Sequence, residues 1–159
     1  MENSPNTETQ IPSTLDQTCA VAWQALRSAH DRIARRLTGE LGSHCGLTIG
    51  DFDVLLYLQQ HHGVDIRMLD LTNAAMLSQP ALSRLVGRLE ERGLVARAPA
   101  ADDGRAIIVR LTDDGRDLAA RAIQVHARSV HDELTNRLTD QEQTTLRHTL
   151  SRLAEPDAT

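Results

Sequence analysis

Long apolar runs are missing from this sequence. No stretch approaches the ~18 consecutive residues that a membrane helix needs, so a membrane-spanning helical protein is not expected. Residues 1–14 are polar and lack a basic segment followed by an apolar one, which argues against a secretory leader. Cysteine is scarce. Cys19 and Cys45 are the only two, too few for a disulfide framework, and a reducing, cytoplasmic setting is expected. Aromatics are scarcer still in proportion: Trp23, Phe52 and Tyr57 stand against 22 Leu and 19 Ala, which predicts a helical core packed with aliphatic side chains. Lysine is absent, and all 17 basic residues are arginine, read here as the mark of a genome rich in G and C.

The motifs of common catalytic sites are missing too. There is no glycine-rich phosphate loop, no G-x-S-x-G and no H-E-x-x-H. Asp51 and Asp53 are two residues apart, on different faces of a helix, and so do not form a pair of cooperating carboxylates. None of the seven histidines has a recognised zinc spacing. The expectation is no enzyme, no cofactor and no metal site.

What remains is one ordinary globular domain's worth of chain: 159 residues, 40% hydrophobic and 25% charged. The net charge of −5 argues against indiscriminate nucleic-acid binding. Its distribution is uneven. Between Val64 and Leu111 seven arginines face six acids, whereas the rest of the chain has ten arginines against sixteen acids.

Residues 1–12 read as a disordered tail. Thr14 to Gln17 fits a capping box, and Leu15, Cys19, Ala22, Leu26, Ala29, Ile33 and Leu37 then repeat at three- and four-residue spacing along a first helix that fades near Gly39 and Gly42. Thr48 opens a second helix that ends by His61-His62-Gly63. Ile66 begins a short strand or turn into a third helix, roughly Met68 to Met76. Ser78 caps a fourth, Gln79 to Arg92, with Leu82, Leu85, Val86 and Leu89 as its buried stripe, Pro80 in the first turn and Gly93 as its stop. Leu94–Arg97 and Ala106–Leu111 read as two strands of a hairpin. Thr112 caps a fifth helix reaching about Arg137. Thr139 to Glu142 is a capping box for a sixth, with Leu146, Leu150 and Leu153 as its seam and Pro156 at its end. The predicted fold is mainly α with a small β-hairpin. A winged helix-turn-helix over 46–112 lies between long helical stretches at 13–45 and 113–155.

A helix fits the DNA major groove, and its first residues reach base edges. Here those are Gln79, Pro80, Ser83 and Arg84, with Ser78 at the cap. An arginine at the tip of a two-stranded ribbon can enter a narrow minor groove. The run Asp103-Gly104-Arg105-Ala106 through Leu111-Thr112-Asp113-Asp114-Gly115, with Leu89-Glu90-Glu91-Arg92-Gly93-Leu94-Val95 upstream, resembles the D-x-R…L-T-x-x-G signature and recognition helix of the multiple-antibiotic-resistance regulator (MarR) family. The resemblance extends from about Trp23 to Leu153. It implies a homodimeric winged-helix transcription regulator, commonly a repressor released by a small aromatic or other effector. The outer helices would form the dimer, and a pseudo-palindromic double-stranded DNA site would be bound.

Carried over position by position, the resemblance makes Arg105 the minor-groove arginine and Asp103 the acid that positions it. Ser78, Gln79, Pro80, Ser83 and Arg84 become the major-groove reader, and Leu111, Thr112 and Gly115 the structural return into the fifth helix. Arg88 is a further DNA-contact candidate, for phosphate. Gly87 departs from the expected pattern of a helix-favouring residue. The family's effector pocket lies between helices one, two and five, where Trp23, Arg27, His30, Phe52, Tyr57, His61 and His126 combine aromatic surface with polar tips. Two other readings stay open: a winged helix turned to protein partners, and a thiol-based oxidation sensor using Cys19.

Overall fold

The computed structural model describes residues 16–101 and 106–155. Six helices and three strands follow the chain in the order α1 (Gln17–Cys45), α2 (Ile49–Gln60), β1 (Ile66–Arg67), α3 (Met68–Ala75), α4 (Gln79–Glu91), β2 (Val95–Pro99), β3 (Ile107–Leu111), α5 (Asp113–Thr135) and α6 (Asp140–Ala154). The chain divides into two compact units, residues 1–34 and 35–159. The tail at 1–12, the Thr14 cap and Pro156 lie outside the described residues, as do Asp103 and Arg105.

In the first unit, α1 runs from Gln17 to beyond His30 with every side chain exposed except the half-buried Ala20, Cys19 and Trp23 among the exposed ones. An apolar seam at helical spacing therefore predicted packing for Cys19 that this unit does not provide. Periodicity reports a face, not what covers it.

In the second unit, α1 continues through Gly39 and Gly42 to Cys45. Both glycines are helical, with open space where a Cβ would stand, so the helix outlasts the expected end near them. The break comes at Gly46, whose φ of 62° is the left-handed turn a glycine adopts freely. Thr48 then restarts the chain. Its Oγ1 accepts from Asp51 N–H at 3.1 Å and its own N–H donates to Asp51 Oδ2 at 3.1 Å, a complete capping box for α2.

The strands form one antiparallel sheet in the order β1-β3-β2. The hairpin read from sequence thus gains a third strand, with Ile66 opposite Val109. A two-residue strand has no period to detect. It exists because Ile66 and Val109 are both buried in the same core. That core holds Leu41 and Leu47, the inner face of α2, Leu71, the α4 stripe of Leu82, Leu85, Val86 and Leu89, and Leu118, Ala119 and Ala122 of α5. At roughly 1.5–3 kcal/mol per fully buried large aliphatic, this cluster is the main source of the unit's stability.

The return into α5 explains why a threonine and a glycine stand three apart after β3. Thr112 Oγ1 donates to Gly93 C=O at 2.6 Å and accepts from Gly115 N–H at 3.0 Å. Its N–H donates to Leu94 C=O at 3.1 Å. The turn leaving α4 and the first turn of α5 are thereby tied by one side chain. Gly115 sits so close that a Cβ there would fall 1.9 Å from the Leu94 carbonyl oxygen.

Candidate nucleic-acid interface

The helix-turn-helix is α3, a tight turn and α4. The turn uses Met76 in the left-handed region at φ 52°, an unusual place for a side chain, and that side chain projects almost wholly into solvent. Ser78 stands at the N-cap of α4 as expected, with extended backbone, but its side chain makes no capping hydrogen bond. Pro80 occupies the first turn, where its missing N–H has no helical partner to lose.

The helix is held by one side and open on the other. Leu82, Leu85, Val86 and Leu89 are all buried, while Ser78, Gln79, Pro80, Ser83, Arg84 and Arg88 are all exposed. The apolar and polar sets interleave at helical spacing, so burying one stripe forces the other outward. Gln79, Pro80 and Ser83 face Arg67, Met68 and Leu69 of the α3 start and Arg97, Ala106 and Ile107 of the wing base across an open groove of about 780 Å³. The major-groove candidates are therefore gathered on one surface beside the wing.

The charges on this surface are arranged unequally. Arg97 on β2 donates from Nε to Glu90 Oε2 at 2.8 Å, and its backbone N–H donates to Glu90 Oε1 at 3.2 Å. That hydrogen bond holds the Glu90 carboxyl below its ordinary range and pushes the Arg97 guanidinium up. The pair fastens the back of α4 to the wing. Arg110 on β3 pairs with Asp65 just before β1. Arg88 lies 3.5 Å from the buried Asp51 at the start of α2. Sequence reasoning had not singled out Asp51 or Glu90 for this site. Asp51 lies 37 positions from its partner along the chain, and no spacing rule connects them.

The small-molecule candidates divide into groups. Trp23, Arg27 and His30 lie on the first half of α1, all exposed, with His30 Nδ1 3.4 Å from Asp31. In the second unit, Phe52 and His126 stack with ring centroids 4.7 Å apart. Asp53 follows Phe52, and partial burial raises its carboxyl above the ordinary value while His126 acts in the opposite direction. Tyr57 and His61 stack on each other at 4.2 Å, and His61 Nδ1 lies 2.8 Å from the Tyr57 carbonyl, which it can reach as an N–H donor. Tyr57 and Asp53 line a cavity of about 320 Å³ between α2 and α3; His61 lines another, of about 240 Å³, bounded by β3 and Arg116. Asp51 is buried, whereas Asp53 keeps most of its surface open to solvent and is desolvated only where it edges the cavity, on the opposite side of α2. No group of three or more metal-ligating side chains occurs among the described residues. No described helix is long and apolar enough to cross a membrane.

Comparison with known proteins places these features in a family. The model of the MarR family matches residues 46–106, which begin at the Gly46 turn and run through α4 and β2 to the base of the wing. The multiple antibiotic resistance protein MarR of Escherichia coli is 30% identical over 118 residues, covering 74% of this chain and 81% of that protein. AbsC, a MarR family transcriptional regulator from Streptomyces coelicolor, superposes with a TM-score of 0.80 at 28% identity over 89% of this chain and 95% of its own. Sco3205, another MarR family regulator from the same organism, solved in complex with DNA, superposes at 0.81 with 25% identity over 91% and 96%.

Proposed function

The chain belongs to the MarR family, and on that premise we propose that it is a transcriptional regulator that binds a pseudo-palindromic promoter site as a homodimer, with repression as its mode. The observation that carries this reading is the one-sided docking of α4: four buried aliphatics on one face and Ser78, Gln79, Pro80, Ser83 and Arg84 exposed beside the wing. In the complex, Gln79 would offer its amide to adenine and Arg84 its fork to guanine, and the family resemblance assigns Arg105 to the minor groove.

The dimer reading is supported by α6. None of its residues is buried, yet Leu146, Leu150 and Leu153 form one exposed apolar seam. Two copies related by a two-fold axis would cover it, and the same axis makes the DNA site palindromic, with half-sites about one helical turn apart. Control by a small aromatic effector is supported by the cavity between α2 and α3, because a ligand there would press on α3, which packs against α4. An effector that binds the DNA-free arrangement tenfold better than the DNA-bound one weakens DNA binding tenfold.

Fluorescence anisotropy with duplexes from the protein's own upstream region tests the reading. Preferential binding over a scrambled duplex is expected, with affinity falling steeply between about 50 and 200 mM salt as phosphate contacts release counterions. Arg105→Ala should weaken it markedly. Equal binding to both duplexes, unchanged by Arg105→Ala, would leave the protein-partner reading in its place.

A further inference from the structure

The start of α2 carries a charge that its helix does not need. Asp51 stands at the third helical position, and Oδ2 completes the capping box by accepting from Thr48 N–H. A neutral Gln serves that purpose equally well, since only an acceptor is required. The carboxylate is nonetheless buried, at 5% exposure, and a buried charge is costly unless it is paired. Its second oxygen, Oδ1, has no hydrogen bond among the described residues. The charge facing that oxygen is the guanidinium of Arg88, with Nη2 at 3.5 Å.

The approach is tight by construction. Gly50 lies against α4, where a Cβ would stand 3.3 Å from Leu85 Cδ1, so the first turn of α2 sits directly on the recognition helix. Asp51 is thus fixed by a cap on one oxygen and by packing around it. Arg88 is fixed only at its far end, with 56% of its side chain exposed on the same polar face as Arg84. A rigid acid and a solvent-facing base make an asymmetric pair. The acid sets the direction in which the guanidinium points, and it offsets part of the charge that Arg88 would otherwise present to any phosphate.

We propose that Asp51 is a specificity-determining positioning residue: it holds Arg88 in one register on the reading face of α4, so that the arginine favours the operator and is partly neutralised toward other DNA. The proposal rests on the DNA-binding reading above. It predicts that removing the acid's charge makes the protein bind more DNA, less selectively.

The test uses the full-length protein, a duplex it selects from a randomised pool, and a scrambled duplex of equal length. Asp51→Asn keeps an oxygen for the cap. It should raise affinity for the scrambled duplex several-fold, steepen its salt dependence by about one phosphate contact, and lower the selected-to-scrambled ratio about tenfold. Asp51→Glu, which keeps both charge and cap, should stay near the wild-type ratio. In an Arg88→Ala background, Asp51→Asn should leave the ratio unmoved. Arg88→Gln, read on its own, should lower the ratio while the acid stays in place. An unchanged ratio in Asp51→Asn, the same drop in the Arg88→Ala background, or an equal loss on both duplexes in Arg88→Gln overturns the proposal. Wild-type protein that selects no duplex at all overturns the DNA-binding reading and this inference with it. A wild-type selected-to-scrambled ratio that Asp51→Asn leaves unchanged overturns the inference alone.

Discussion

Helices α4 and α6 are close in length, thirteen and fifteen residues, and both carry leucines at helical spacing. Yet α4 buries Leu82, Leu85, Val86 and Leu89, while α6 leaves Leu146, Leu150 and Leu153 at 39%, 37% and 70% exposure. The same pattern thus meets two fates. The stripe of α4 is covered within its own chain because α2, α3 and the sheet converge on it. Among the described residues the seam of α6 meets no such surface. An amphipathic pattern announces that a partner is needed, and the tertiary structure decides whether this chain supplies it.

The contrast can be broken first at the turn that leads from β3 into α5. Gly115→Ala would set a methyl 1.9 Å from the Leu94 carbonyl oxygen, which is backbone already engaged by Thr112, so no side chain can swing aside. Strain against fixed backbone belongs to the rare class of changes costing more than about 4 kcal/mol, and the protein should fail to melt as a single cooperative unit near the wild-type temperature.

Next in size is a paired truncation. Leu89→Ala, at 0% exposure, should cost about 2–5 kcal/mol in denaturant unfolding. Leu150→Asp should do the reverse: leave the circular dichroism of the chain intact but shift sedimentation from dimer to monomer at micromolar concentration. If Leu150→Asp unfolds the chain, or leaves the dimer untouched, the contrast between the two helices is wrong.

A smaller effect of opposite sign is expected at Gly87, inside α4. Nothing lies within 4 Å of where its Cβ would stand. Gly87→Ala should stabilise the protein by about 0.5–1 kcal/mol, raising the melting temperature by about 1–4 °C. Unchanged affinity for DNA is expected alongside. Weaker binding would show that the bare backbone serves a close approach to phosphate.

The smallest effect is the link between α4 and the wing. The Glu90 carboxyl is held below its ordinary value of 4.5 by the Arg97 hydrogen bond. Whatever stability this pair adds is present above the unfolded-state value and is lost as pH falls through the lower, folded value. The difference in melting temperature between wild type and Glu90→Gln should therefore be seen at neutral pH and close as acid is added. A difference that grows in acid would mean the pair is not intact in solution.

Most of the helix boundaries were legible because their signals are local. Thr48, Thr112 and Thr139 cap helices through bonds to residues three positions on, and Gly93 ends α4 in a left-handed turn, whereas the end of α1, expected near Gly39 and Gly42, comes only at Gly46. The exposed polar face of α4 was legible for the same reason, since its buried stripe fixes the opposite face. The ring stacks were not. Phe52 meets His126 from 74 positions away, and Tyr57 and His61, counted as open effector contacts, are engaged with each other. The first pairing crosses the fold and leaves no trace in spacing; the second, four residues apart at the end of α2, is one that helical spacing allows.

By itself, the sequence determined where most helices begin and end, which faces are apolar and which short motif sits between them, because these follow from hydrogen bonds and periodicities spanning a few residues. The tertiary structure alone decided that β1 joins the sheet, that Gly115 is obligatory because a carbonyl occupies the place of its Cβ, and that a buried aspartate faces the recognition helix's Arg88. Each of these depends on which distant surfaces the closing core brings within a few ångströms.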